Sequence, residues 1–173
     1  MRIRFLFGVI ALLFTWSTFV SATLAQRKKT KEGEIESLRG LQGVRVTVED
    51  IDPEAERNGL TKSQIQVVVE SELRKAGIKV LTEEEWSSTP GSAILYGNVN
   101  THKSSHGPYS FNISVELVQR VALFRNPYFA RSAPTWNTGS VGTVGASNLR
   151  NIYDSVKDTV DIFINDYLSV NPR

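Results

Sequence analysis

The chain of 173 residues contains no cysteine. That excludes disulfide staples, thiolate nucleophiles, cysteine-ligated zinc and the acylated thiol of a lipoprotein. Histidine is scarce, with two in the whole sequence, whereas a zinc site needs three or four protein ligands. No apolar run reaches the roughly 20 residues of a membrane-spanning helix. Net charge is missing as well, since 20 basic side chains stand against 18 acidic ones. Two of those bases, Arg2 and Arg4, lie in a predicted leader, which leaves 18 of each sign. The broad positive field of a nucleic-acid binder is therefore absent, and no nucleic-acid partner is expected. Neither the phosphate loop G-x-x-x-x-G-K-[ST] nor the dinucleotide fingerprint G-x-G-x-x-G occurs.

What is present begins with Arg2 and Arg4 ahead of an apolar run from Phe5 to Phe14, followed by small residues up to Ala25. This is the pattern of a secretory signal peptide cleaved after Ala25 or Ala22, with an uncleaved anchor as the alternative. The protein is expected to be exported, to the periplasm or beyond the cell, with no stable membrane insertion after cleavage. Residues 1–25 are read as the leader. Residues 26–39, QRKKTKEGEIESLR, read as a flexible charged tail, because blocks of charge near termini lack apolar groups to bury. Residues 40–173 are long enough for a single α+β domain with one core.

The most informative stretch is Tyr109 to Arg125, YSFNISVELVQRVALFR. Tyr109, Phe111, Ile113, Val115 and Leu117 alternate with Ser110, Asn112, Ser114 and Glu116, the two-residue period of a half-buried strand. Past Val118 the polar face turns apolar at Ala122 and Phe124. That predicts a bulge near Val118-Gln119, or a partner or following segment covering the outer face.

Other elements follow from the same rules. Val44, Val46 and Val48 alternate as a first strand. Thr61 and Gln64 form a capping box for a helix reaching about Ala76, with Gly77 as its left-handed stop. Ile78–Leu81 is a second strand, parallel to the first. Thr82 and Glu85 cap one further helical turn, Ala93–Asn100 is a third strand, and Thr135–Val144 is the last. Ser147 or Asn148 caps a long helix whose stripe is Leu149, Ile152, Tyr153, Val156, Val160, Phe163 and Tyr167. The predicted fold is an α+β two-layer sandwich in β-α-β-β-β-β-α order, with a mixed sheet of about five strands and two long helices on one face.

Candidate sites divide into polar clusters and an aromatic one. Asp50, Asp52, Glu54 and Glu56 crowd one loop, but their spacing is not that of an EF-hand. Neighbouring Glu83 and Glu84 do not face each other on a helix, as a carboxylate pair for glycoside cleavage must. His102 and His106 sit in a predicted hairpin loop, THKSSHGP, with no further ligand near. Gly139, Gly142 and Gly145 precede a helix, where glycines can cradle phosphate, or simply permit a bent strand. No metal or cofactor ligand set is assembled. The segment RNPYFARSAPTW instead mixes aromatics with arginine, a composition enriched at protein interfaces. Arg125, Tyr128, Phe129, Arg131 and Trp136 are the candidate partner-binding residues, unless the loop folds its rings back onto the sheet.

The residues RGLQGVRVTVEDI, GLTKSQIQVVVESELRKAGIKVL, ELVQRVALFRNP with TW following, and VDIFINDYLSVNP resemble an uncharacterised family of exported bacterial proteins, across residues 38–172. At the level of topology the arrangement is also similar to the TolB amino-terminal domain, the lipopolysaccharide-transport lipoprotein and the lipoprotein activators of penicillin-binding proteins. Those resemblances imply a noncatalytic adaptor of the bacterial envelope, although the missing cysteine departs from the lipoproteins. The residues support the same reading, because no nucleophile, base and orienting group assemble into an enzyme site. The function predicted is a noncatalytic exported adaptor acting through protein–protein contacts, with oligomeric state open. The alternative is a small-ligand binder or hydrolase using Glu83, Glu84, His102 and the glycine-rich strand.

Overall fold

The computed structural model describes residues 28–105 and 107–172. The expected leader with its cleavage site, and His106, lie outside the described residues. Over the described residues the chain is α+β, with a mixed four-stranded sheet and five helices. Helix α1 spans residues 28–36. Strand β1 (Arg45–Val48) follows, then α2 (Pro53–Arg57), α3 (Lys62–Lys75) and α4 (Glu83–Ser88). Strands β2 (Ile94–Lys103), β3 (Tyr109–Leu123) and β4 (Asn126–Val144) form a meander, and a 3₁₀ turn at Ala146–Asn151 leads into α5 (Ile152–Val170). The sheet order is β1-β2-β3-β4, parallel between β1 and β2 and antiparallel elsewhere.

Local chemistry accounts for the helices. The Thr61 hydroxyl accepts from the Gln64 N–H at 3.4 Å and opens α3, and Gly77, at φ 72°, stops it. Those signals overrule the strand-prone Val67-Val68-Val69, because Ile65, Val69 and Leu73 then share one buried stripe. Helix α4 carries a full capping box, with Thr82 and Glu85 each bonding the other's backbone N–H. The stripe of α5 buries Ile152, Val156, Val160 and Phe163. Both stripes enter one hydrophobic cluster with Val46, Leu95, Ile113 and Leu117 of the sheet. Among the described residues no helix is long and apolar enough to cross a membrane.

The structure departs from the sequence reading in several places. The expected second strand, Ile78–Leu81, is reduced to a single parallel bridge between Val44 and Val80, so the sheet has four strands rather than five. The stop at Gly77 and the cap at Thr82 leave only four residues between them, and of these only Val80 forms a bridge. Residues 28–36, expected in a flexible tail, are helical. Their opposite charges fall at helical spacing, as in Lys28–Glu32 and Lys31–Glu34, and the chain that follows buries Leu38 completely.

Helix α5 is entered through the 3₁₀ turn, and neither Ser147 nor Asn148 caps it. His102, expected in a loop, belongs to β2 and pairs with Ser110. The last strand starts at Asn126 rather than Thr135, absorbing the expected aromatic loop. Pro127 and Pro134 argue against a strand only in a sheet interior. They are tolerated here because β4 is the edge strand, where a missing N–H leaves no ladder bond unmade.

Candidate functional site

Strand β3 outruns its neighbour. The first residue of β2, Ile94, stands opposite Val118, so β3 beyond that point ladders only with β4. The result is a two-stranded arm, and the five residue steps from Val118 to Leu123 carry its turn about 17 Å past the sheet. Its root is fastened on both sides. At the root the register shifts between Leu117 and Val118, with Thr135 as the extra residue on β4. The Thr135 hydroxyl accepts from Gln119 Nε2 at 2.8 Å, and the same Nε2 donates to the Ser37 carbonyl at 3.0 Å. On the other strand edge, the Arg120 N–H donates to the Gly91 carbonyl at 3.1 Å. The predicted bulge near Val118-Gln119 thus exists, but its extra residue lies on the partner strand.

The tip is irregular. Ala122 pairs with Ala130 while Leu123 pairs with Asn126, which leaves Pro127, Tyr128 and Phe129 outside the ladder. Without a partner strand opposite them, their side chains point into solvent. Tyr128 is 98% exposed and Phe124, in the turn, 104%, while Phe129 is about half exposed at 47%. Arg120, Arg125 and Arg131 are also exposed, and no acidic residue occurs from Leu117 to Tyr153. Apolar rings beside guanidinium groups have the composition that carries most binding energy at protein interfaces. They hold no nucleophile or proton-transfer pair.

Of the five candidate binding residues, Arg125, Tyr128, Phe129 and Arg131 are brought together on the arm. Trp136 is not among them. The extra residue Thr135 turns it inward opposite Leu117, where it is fully buried. Its ring meets Phe163 edge-on at 5.2 Å between centroids, and its Nε1 donates to Asp166 at 2.8 Å. Lys31 of α1 pairs with the same carboxylate at 3.0 Å and lies 4.8 Å over the indole. Sequence reading missed Phe124, which was assigned to the strand, and the Gln119–Thr135–Ser37 fastening, which no local pattern signals.

The polar candidates do not converge. Glu83 pairs with Arg45 at 2.7 Å, and Arg45 stands opposite Ile94 at the start of β2. His102 lies eight residues further along that strand, about 26 Å away. Glu83 and His102 accordingly line separate hollows, of about 460 and 540 Å³. The helix-start backbone N–H, and then Thr82, hold the Glu84 carboxyl below its ordinary value, and Lys79 does the same for Glu85. A general acid needs the opposite shift.

The acidic stretch, expected as a loop, folds in part as helix α2, and three of its four carboxylates have structural tasks. Asp52 caps α2, Asp50 pairs with Lys62 at 2.7 Å, and Glu54 bonds Lys103. Among the described residues no group of three or more histidine, aspartate, glutamate or cysteine side chains could hold a metal ion. The glycines of β4 answer to packing, since a Cβ on Gly142 would sit 2.5 Å from the Phe111 ring. No protein-family model matches the chain, and no curated protein matches it significantly.

Proposed function

We propose that the protein is a noncatalytic exported adaptor of the bacterial envelope that offers the β3–β4 arm to another protein. In this reading the body is a two-layer sandwich with both long helices on one face of the sheet, a rigid mount for the arm. The observation that carries the proposal is the full exposure of Phe124 and Tyr128 at the tip of a hairpin whose root is pinned. Monomeric proteins seldom leave large rings in water without a use for them. The arginines and the absence of acids imply that the receiving surface is acidic as well as apolar.

The test is a pair of substitutions, Tyr128→Ala with Phe129→Ala, compared with the parent in affinity capture from envelope extract. Recognition predicts loss of a captured protein with a nearly unchanged melt. A variant that keeps its stability and every captured protein would refute it.

A further inference from the structure

Strand β4 is last in the sheet, so its outer edge has no strand beside it. An exposed edge is a template for pairing with another chain, and monomers blunt such edges with charge, proline or bulges. The two halves of β4 differ in this respect. The arm half carries Pro127, Arg131 and Pro134 and contains or adjoins both register irregularities. The straight half, Trp136–Val144, pairs residue for residue with Leu117–Tyr109 and has no shift. It has neither a proline nor a charge, and no charged residue occurs from Ser132 to Leu149. Val141 stands on it 78% exposed.

We propose that this straight half is a homodimer interface, where β4 pairs antiparallel with β4 of a second copy to make one continuous eight-stranded sheet. A two-fold axis perpendicular to the sheet makes identical edges antiparallel and keeps inward side chains on one face. With the axis at Val141, that residue faces its own copy, Gly139 faces Thr143, and Thr138 faces Val144. A second copy is favoured over a different protein by the composition of the edge. Self-pairing sets each residue beside its own copy or a near neighbour, so any charge would meet a like charge, and this stretch has none. The small residues Gly139, Ser140 and Gly142 raise no steric barrier. The inference does not depend on the arm's role, because it uses the other half of the strand.

The absence of cysteine provides a direct test. With a mild oxidant such as oxidised glutathione, Val141→Cys should form a disulfide-linked dimer, since residues directly opposite in antiparallel strands have Cβ atoms about 4.5–5.5 Å apart, near the roughly 3.5–4.5 Å that a disulfide spans. Tyr128→Cys at the arm tip should remain monomeric on the same denaturing gel. In sedimentation equilibrium the parent should reach twice the chain mass as concentration rises. Val141→Lys and Thr143→Lys should lose that association, with circular dichroism unchanged, while Val141→Thr keeps it. A parent monomeric at the highest concentration would overturn the proposal. So would lysine variants that associate like the parent, or equal cross-linking at positions 128 and 141.

Discussion

Trp136 and Tyr128 show how little a side chain's identity says about its place. Both stand near arginines in one short segment, yet one is fully buried and the other 98% exposed. Burial decides the cost of removing such a ring. Phe163, fully buried against Trp136 and Tyr167, should lose about 3–5 kcal/mol on Phe163→Ala through lost transfer energy and a cavity. Tyr128→Ala should stay within about 0.5 kcal/mol of the parent, as surface changes do. Urea denaturation of the two variants checks both, and equal midpoints would show the burial pattern to be wrong.

At the scale of elements, close packing and capping set the expectations. Gly142 lies under the Phe111 ring, where an added Cβ would come within 2.5 Å of Cζ. Gly142→Ala should therefore cost about 1–3 kcal/mol by overpacking, and Gly142→Ala with Phe111→Leu should recover part of it. A stability unchanged from the parent would mean that the ring moves aside freely. Helix α4 makes a pH prediction. The Lys79 ammonium, and then the Thr82 backbone N–H, hold Glu85 below its ordinary value of 4.5. A depressed carboxyl contributes stability that is complete above the unfolded pKa and lost as pH falls through the folded one. The loss should appear below about pH 4.5, and Glu85→Gln should flatten that limb of the stability curve measured by thermal melts across pH.

For the whole molecule, the leader pattern predicts a mature N-terminus at Gln26 or Thr23. Intact-mass measurement of the native protein checks it, and a chain retaining Met1 in the membrane fraction would make the leader an anchor. The arm gives the molecule its asymmetry. One end of the sheet is fastened by Ser37, Gln119 and Thr135, and from that end a hairpin with three arginines reaches into solvent. A rigid root would serve the proposed recognition, because a preorganised arm loses less entropy on binding.

The elements readable in the chain were those set by near neighbours. The period of Tyr109–Leu117, the caps at Thr61 and Thr82, the stop at Gly77 and the stripe of α5 each lie within a few residues, and each appears in the structure. Contacts between distant residues decided the rest. Residues 28–36 read as a charged tail because the Asp166–Trp136 pair that receives Lys31 lies far along the chain. Prolines 127 and 134 read as loop because sequence does not say which strand will be the edge. The extra residue at Thr135 sends Trp136 inward, the second shift between Ala122 and Leu123 leaves Tyr128 outside the ladder, and both are matters of register between two strands. Register follows from which faces find a core to fill, and that is settled only when the sheet and its helices pack.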